Sequence, residues 1–315
     1  MRIPSLRHRY ESLLLLTLCS LSVACSDGEL IAAPVEASLQ AAQSEKIIGG
    51  GGLNLAAYEA GKADGRPILF IHGFSGNYLT WDGVLSGPLA AEFRLVAFDL
   101  RGHGESDKPL QADRYTNSEL WADDLAAVIR AKNLVRPVLV GWSYGGYVIA
   151  DYIRKFGDSK LGGVVFLGSV TKNGTAEAAE FLTPEVLALF PDVLSADVRK
   201  SINGTRALTR MFANSMSETT WEIAYGSAMM VPPSVRAAMF SRVLDNDDVL
   251  SHIRVPTLAI HGTGDRIVRV SAARHTAGTV PNAKLLLYDG VGHAPHLEVP
   301  ERLSRDLAEF VRARR

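Results

Sequence analysis

The chain has 315 residues, of which 47% are hydrophobic and 21% are charged, and its formal net charge is -1. This size and composition allow a large buried core, either in one globular domain with an insertion or in two domains. A nearly neutral chain without a long run of like charge lacks the basic surface of nucleic-acid-binding proteins, so we exclude that class.

Residues 1–25 are predicted to be a signal peptide. Basic residues at positions 2, 7, 8 and 9 precede the apolar stretch "LLLLTLCSLSV", which is too short to cross a membrane comfortably. The segment closes with "SVAC", which resembles the lipobox of bacterial lipoproteins, in which the cysteine is lipidated. Cys25 is therefore the candidate lipidation site, although Ser22 stands where that pattern usually has leucine. Ordinary secretion after cleavage near Ala24 and a retained apolar anchor are the alternatives.

The signal peptide implies an exported protein, held in the bacterial cell envelope or secreted. Residues 26–46 are rich in Ala, Ser and Glu with little periodicity, which is typical of a flexible linker. Both cysteines, Cys19 and Cys25, lie in the signal peptide. The folded part over residues 47–315 therefore contains no catalytic thiol, disulfide or cysteine metal site.

Short apolar runs alternate with helical patterns along the folded part. The segments "RPILFIHGF" and "RLVAFDLRGHGESD" are each predicted to be a buried strand followed by a glycine-rich turn. A helix over "SELWADDLAAVIRAKNL", with Ser118 as its N-cap, precedes a third strand, "RPVLVGW". A helix over "SYGGYVIADYIRKFG", ending at Gly157, precedes a fourth strand, "LGGVVFLGS". The alternation predicts an α/β fold with a mostly parallel central sheet flanked by helices.

The alternation of strands and helices stops between about residues 171 and 250. There "TPEVLALF", "VRKSINGTRALTRMF" and "PPSVRAAMFSRVL" are predicted to be helices without strands between them. We interpret this segment as a helical cap inserted over the sheet. Its methionines are expected mainly to pack between helices, although their flexible side chains also suit an acyl-chain pocket. Strands then return in "VPTLAIHGTGD" and "AKLLLYDGVGH", separated by the helix "SAARHTAGTV", before a final helix that Pro300 opens.

The segment "GWSYGGY" places Ser143 between two glycines, directly after a predicted strand and before a predicted helix. This G-x-S-x-G pattern is typical of a nucleophile on a sharp turn, and the alternative is a glycine-rich bend with a bystander serine. A serine nucleophile needs a base and a carboxylate that orients the base. Asp265 and His293 each follow a later strand and supply both groups in the order Ser, Asp, His, which is the order of α/β hydrolases.

Four motifs in this order carry a resemblance: "HGF" at His72, "DLRGHGES" at Asp99, the serine turn, and the closing "GTGD" and "GVGHAPHLEVPE". From about Ile47 to its end the chain resembles α/β-hydrolase fold enzymes, specifically the serine-nucleophile esterases, lactonases and non-haem haloperoxidase-like perhydrolases. The resemblance implies a triad of Ser143, Asp265 and His293. It also implies an oxyanion hole made by the backbone N–H groups of Phe74 and Tyr144.

Other polar residues near these motifs have simpler interpretations. We expect His72 to shape the oxyanion loop, and Asp99, Arg101 and His103 to organise the turn after their strand. Asp289 is a weaker alternative for the triad carboxylate, and His296 is expected to have a packing or surface role. The sequence has no H-E-x-x-H metal motif, dinucleotide motif or phosphate-binding loop, so no cofactor is predicted.

The predicted activity is hydrolysis of a small-molecule carboxylic ester or lactone with an apolar acyl group, because Phe74 and Tyr144 would place apolar walls beside it. Perhydrolysis, cleavage of an acyl-homoserine lactone and carbon–carbon bond hydrolysis are open alternatives, since all can use one triad. Dehalogenase and epoxide hydrolase activities are disfavoured because those branches use an aspartate nucleophile. A non-catalytic binding module would not need an intact triad, and no oligomeric state is predicted.

Overall fold

The structure, a computed structural model, describes residues 44–313. The predicted signal peptide, Cys25 and the predicted linker as far as residue 43 lie outside the described residues and stay predictions. The first strand begins at Glu45, within the last two residues of the predicted linker.

The strands of the described residues are β1 Glu45–Ile48, β2 Asn54–Gly61, β3 Pro67–Ile71, β4 Arg94–Phe98, β5 Val138–Trp142, β6 Gly163–Leu167, β7 Lys172–Asn173, β8 Leu244–Asp245, β9 Thr257–Gly262 and β10 Lys284–Tyr288. The α-helices are α1 Asp82–Leu85, α2 Asp113–Thr116, α3 Ser118–Ala131, α4 Gly145–Phe156, α5 Ala176–Glu180, α6 Pro184–Val193, α7 Val198–Arg210, α8 Glu218–Met229, α9 Pro233–Phe240, α10 Asp247–Leu250, α11 Val270–Thr279, α12 Pro295–Glu298 and α13 Pro300–Arg312.

Eight of these strands form one sheet in the order β1-β2-β4-β3-β5-β6-β9-β10. The pairs β1/β2 and β2/β4 are antiparallel, and every other pair is parallel, which confirms the predicted fold class. Strands β1 and β2 were not predicted from the sequence. The segment of β2, "NLAAYEAG", has low intrinsic β-propensity, so its strand conformation depends on pairing with β4.

The central strands are buried on both faces, and this explains their continuous apolar runs. Ile68, Leu69, Phe70 and Ile71 of β3 are each 0% exposed. Helices α3, α4, α10 and α11 pack side by side as one group, and α1, α12 and α13 pack as another. Because two groups of helices flank the sheet, side chains on both faces of a central strand are shielded from water.

The helix ends agree with the sequence predictions in two places and differ in one. Gly157 ends α4 with a φ of 70°, and Pro300 is the first residue of α13. The N-cap of α3 is Asn117 rather than the predicted Ser118, because the Asn117 side chain accepts a hydrogen bond from the Glu119 N–H. Ser118 is instead the first residue within the helix.

Helices α5 to α9 form an insertion between the two short strands β7 and β8. These strands pair antiparallel, with Lys172 opposite Asp245, so the two ends of the inserted segment meet. Helix α8 was not predicted because its apolar residues do not keep to one face. Trp221 is buried, whereas Ile223, two residues later, is 44% exposed.

Candidate active site

Ser143 lies on the turn between the central strand β5 and helix α4. Its φ of 51° is in the left-handed region that residues other than glycine rarely adopt. A Cβ at Gly145 would lie 2.6 Å from the Ile71 carbonyl oxygen of β3, and a Cβ at Gly141 would lie 2.7 Å from the Gly145 carbonyl oxygen. Both glycines are therefore required by close backbone approach, and the turn has the strained geometry of a nucleophile elbow.

Asp265 and His293 follow the neighbouring strands β9 and β10 and meet beyond their ends. His293 Nδ1 lies 2.8 Å from Asp265 Oδ2, and both side chains are buried. Because an ionised carboxylate only accepts hydrogen bonds, Nδ1 carries the proton and Nε2 is left as a base. His293 and Ser143 line the same pocket, so the structure brings together the three residues of the predicted triad.

The carboxylate of Asp265 is held by donors on both of its oxygens. Oδ1 accepts hydrogen bonds from the backbone N–H groups of Ile267, at 2.8 Å, and Val268, at 2.9 Å. Burial by itself would raise the pKa of Asp265, but His293 and His261 together hold that pKa well below its ordinary value. Asp265 therefore stays ionised and can stabilise a positive charge on His293.

The backbone segments that carry the two predicted oxyanion donors both lie next to Ser143. A Cβ at Gly73 would lie 2.9 Å from the Ser143 Cβ, so the backbone that leads into Phe74 passes directly beside the serine. Tyr144 is the N-cap residue of α4, so its N–H belongs to the helix-terminal amides that have no acceptor within the helix. Phe74 and Tyr144 both line the pocket with Ser143.

Two buried histidines hold the loop that contains Phe74. His72 Nδ1 lies 2.8 Å from the Gly73 carbonyl oxygen, and His72 Nε2 accepts from the Leu100 N–H at 2.9 Å. His103 Nε2 accepts from the Ser75 N–H at 3.3 Å. Burial lowers the pKa of His72 well below its ordinary value and that of His103 to about 4, so both stay neutral and keep an acceptor nitrogen.

Asp99 and Arg101 are structural, in line with their sequence interpretation. Asp99 is buried and accepts hydrogen bonds from two backbone N–H groups and, at 3.1 Å, from the Tyr58 hydroxyl. Arg101 forms an ion pair with Asp124 at 2.7 Å, and neither side chain is exposed. Neither Asp99 nor Arg101 lines the pocket that contains Ser143.

Asp289 and His296, which lie close to His293 in the sequence, take no part in the contact between Asp265 and His293. The Asp289 carboxylate accepts a hydrogen bond from the Thr263 hydroxyl at 3.0 Å, and both residues are exposed. His296 is buried between the rings of Trp81 and Trp142, with centroid distances of 4.3 and 4.6 Å. His296 therefore packs in the core.

The pocket at Ser143 is formed by the sheet edge and the insertion together, and its walls are mainly apolar. Besides Ser143 and His293 it is lined by Phe74, Trp142, Tyr144, Tyr147, Val170, Asn173, Leu182, Phe190, Leu208, Phe212, Phe240, Ile267 and Val268. The insertion contributes aromatic and leucine side chains to this lining, and its methionines are not part of it. The methionines were expected mainly to pack between helices, and two of them, Met211 and Met239, are buried.

A buried ion pair that was not predicted from the sequence fixes one wall of this pocket. The Arg242 guanidinium donates to both carboxylate oxygens of Asp151, at 2.9 and 2.7 Å, and to the Tyr144 hydroxyl at 3.1 Å. Arg242 follows the last helix of the insertion, whereas Asp151 and Tyr144 belong to the serine turn and its helix. No local pattern in the sequence links residues so far apart, so only the fold reveals the contact.

Among residues 44–313, Glu177, Asp247 and His275 are the group whose ligand atoms lie close enough together for a metal ion. The Lys172 ammonium group already lies 2.7 Å from both Glu177 and Asp247. These two carboxylates therefore have a cation between them, and the cluster joins the base of the insertion to helices α10 and α11. In the same range, no helix is both long and apolar enough to cross a membrane.

A family model described as the alpha/beta hydrolase fold matches residues 66–300. The chain belongs to the α/β hydrolase fold family, as the resemblance of its sequence motifs implied. Among its relatives is the non-heme chloroperoxidase CPO-A1 of Kitasatospora aureofaciens. The two are 30% identical over 260 residues, which cover 78% of this chain and 92% of the chloroperoxidase.

Two solved structures of esterases are similar to this one over nearly their whole length. A putative aryl esterase from Burkholderia cenocepacia superposes with a TM-score of 0.81 and is 35% identical, covering 86% of this chain and 98% of the esterase. The esterase RhEst1 from Rhodococcus sp. ECU1013 superposes with a TM-score of 0.82 and is 31% identical, covering 86% of this chain and 99% of that chain. The protein is thus an α/β hydrolase fold enzyme with esterase relatives.

Proposed function

We propose that this protein is a serine hydrolase that cleaves a carboxylic ester or lactone with an apolar acyl group. The observation that carries the proposal is the pocket in which Ser143, on its strained turn, and His293, paired with Asp265, face the same apolar space. The two esterase structures support it, because each matches this chain across the whole hydrolase domain.

In the proposed mechanism Ser143 Oγ attacks the carbonyl carbon of the ester while His293 Nε2 takes the hydroxyl proton. Asp265 stabilises the imidazolium ion that forms. The backbone N–H groups of Phe74 and Tyr144 stabilise the oxyanion of the tetrahedral intermediate, and each such donor typically contributes about 100-fold to 1000-fold in rate. His293 then gives its proton to the leaving alcohol, and water releases the acid by the same steps in reverse.

Perhydrolysis is the second candidate, because a non-heme chloroperoxidase is 30% identical to this chain. In that reaction hydrogen peroxide takes the place of water as the second nucleophile, and the acyl group leaves Ser143 as a peracid. The triad and the acyl pocket are the same in both reactions, so the choice depends on which nucleophile reaches the acyl-enzyme.

The test is hydrolysis of p-nitrophenyl esters from acetate to decanoate, and of a series of lactones, by the purified full-length chain. We expect turnover that favours apolar acyl groups, and we expect Ser143→Ala to lose at least about 1000-fold in kcat because the nucleophile is gone. Adding hydrogen peroxide with the best acyl donor and assaying peracid tests perhydrolysis. Turnover that persists in Ser143→Ala, or a folded wild-type protein that is inactive on every substrate, would contradict the proposal.

We also propose that the protein is exported to the bacterial cell envelope and attached there through a lipid on Cys25. The proposal depends on the sequence alone, because Cys25 lies outside the described residues. The full-length protein is expected to partition into the detergent phase, and Cys25→Ser is expected to move it to the aqueous phase. Detergent-phase partitioning that survives the substitution would rule out the lipid anchor.

A further inference from the structure

A second histidine contacts the carboxylate of Asp265. His261 Nε2 lies 3.2 Å from Asp265 Oδ2 and 2.9 Å from the Val268 carbonyl oxygen. His261 lies on β9, one position before the end of the strand, and its side chain is fully buried. The same oxygen of Asp265 therefore contacts two imidazoles. One is His261 of β9, and the other is His293 of the loop between β10 and α12.

The surroundings of His261 select one tautomer. Both atoms near Nε2 are acceptors, so Nε2 must carry a hydrogen. Nδ1 is buried and has no hydrogen-bond partner among the described residues. A proton on Nδ1 would be buried without an acceptor, so the neutral form with hydrogen on Nε2 is the one that the geometry favours.

The two histidines on Asp265 therefore have different surroundings. His293 lines the pocket, where it can exchange a proton with Ser143, whereas His261 does not line it. His261 also holds the Val268 carbonyl, and the Val268 N–H donates to the other oxygen of Asp265 at 2.9 Å. One imidazole thus closes the turn from Asp265 to Val268 and contacts the carboxylate at the same time.

We propose that His261 is a positioning residue for the triad, because its Nε2–H donates to the Val268 carbonyl and so holds the turn whose Ile267 and Val268 N–H groups fix the Asp265 carboxylate, while its ring lies beside Asp265 Oδ2. The inference rests on the proposed function. His261 does not touch the substrate in this account, and it acts through Asp265 alone. Loss of its N–H should therefore lower the rate of the chemical steps and leave ester binding unchanged.

The test compares three variants of the full-length chain. His261→Leu removes the donor, His261→Gln keeps an N–H donor near the position of Nε2, and Ile260→Val is a control for disturbance of the same buried strand. We expect His261→Leu to lower kcat roughly 10-fold to 100-fold with KM changed less than about twofold, because the buried Val268 carbonyl loses its donor and the turn that holds Asp265 loosens. His261→Gln should recover kcat to within about threefold of wild type, and Ile260→Val should match wild type. A kcat for His261→Leu equal to that of Ile260→Val would overturn the proposal, as would a Gln variant no better than Leu.

A second measurement needs no variant and so covers the case in which His261→Leu does not fold. NMR of the wild-type protein with ¹⁵N-labelled histidine reports the tautomer of each imidazole. The proposal requires hydrogen on Nε2 of His261 and an unprotonated Nδ1 at neutral pH. Hydrogen on Nδ1 would overturn it.

Labelling with a fluorophosphonate separates this proposal from the proposed function, because the probe reports the reactivity of Ser143 without a chosen ester. A wild-type protein that is not labelled at Ser143 contradicts the proposed function itself. If wild type is labelled and His261→Leu is labelled at the same rate, the proposed function stands and the role of His261 is refuted. Labelling of His261→Leu at least about tenfold slower, with recovery in His261→Gln, supports both.

Discussion

Several buried imidazoles surround the serine turn, and their hydrogen-bond partners give each a different role. His72 and His103 hold the oxyanion loop through acceptor nitrogens, whereas His293 donates to Asp265 and His261 donates to the Val268 carbonyl beside Asp265. His296 differs from these four because neither of its ring nitrogens has a partner among the described residues. Burying a polar group without a hydrogen bond is unfavourable, so His296 contributes to packing at a cost in stability.

The burial of His296 predicts that the free energy of unfolding depends on pH. Burial, and then the neighbouring His293, lower the pKa of His296 well below its ordinary value of 6.5. Below pH 6.5 the unfolded chain binds a proton at this residue that the folded chain does not bind, so stability falls as the pH falls. At pH 5 this single group should cost about 2 kcal/mol of unfolding free energy relative to pH 7.5.

His296→Phe removes that titration and keeps an aromatic ring between Trp81 and Trp142. We expect the difference in unfolding free energy between pH 7.5 and pH 5 to shrink by about 2 kcal/mol in this variant, measured by urea unfolding at each pH. His252→Phe is the control, because His252 is exposed. An equal pH dependence in wild type and His296→Phe would show that His296 takes up its proton in the folded state.

At the scale of elements, the insertion and the main sheet are joined by buried charge. Arg242 lies at the end of the insertion that leads into β8, and its partner Asp151 lies on α4, the helix that begins at the serine turn. Both side chains are only 1% exposed. Because Arg242 also bonds the Tyr144 hydroxyl, the position of the insertion and the wall of the pocket are coupled through one guanidinium group.

Breaking this ion pair from one side should be more harmful than removing it altogether. Arg242→Met leaves the Asp151 carboxylate buried without a cation, and we expect a loss of about 3 to 5 kcal/mol in unfolding free energy. The double variant Arg242→Met with Asp151→Leu should recover most of that loss, because neither charge then remains buried. Urea unfolding of the two variants measures the difference, and a double variant that is no more stable than the single one would contradict this explanation.

The sequence predicted elements well where one local pattern determines them. The parallel strands were predicted because central strands are buried on both faces and so consist of apolar runs. Strands β1 and β2 were missed because antiparallel pairing, of β1 with β2 and of β2 with β4, rather than their own composition, makes them strands. Helix α8 was missed because Ile223 faces solvent and breaks the apolar periodicity.

At the scale of the whole molecule, the triad residues and the pocket were predictable to very different degrees. Ser143, Asp265 and His293 each follow a strand in short motifs, so their meeting at the sheet edge follows from the parallel topology. The pocket walls depend on contacts between distant segments. Phe190 and Phe240 come from separate helices of the insertion, yet their ring centroids lie 4.1 Å apart beside Phe74. No local pattern predicts such a pairing, and the same holds for His261 and Arg242.

The central claim is that Ser143 carries the acyl group during turnover. The most direct measurement is rapid mixing with a p-nitrophenyl ester, acid quenching and mass spectrometry of the digested protein. We predict a mass increase equal to one acyl group on the peptide that contains Ser143, formed within the first turnover and absent from Ser143→Ala. Ester turnover without an acyl group on that peptide, at an activity that Ser143→Ala retains, would contradict the account.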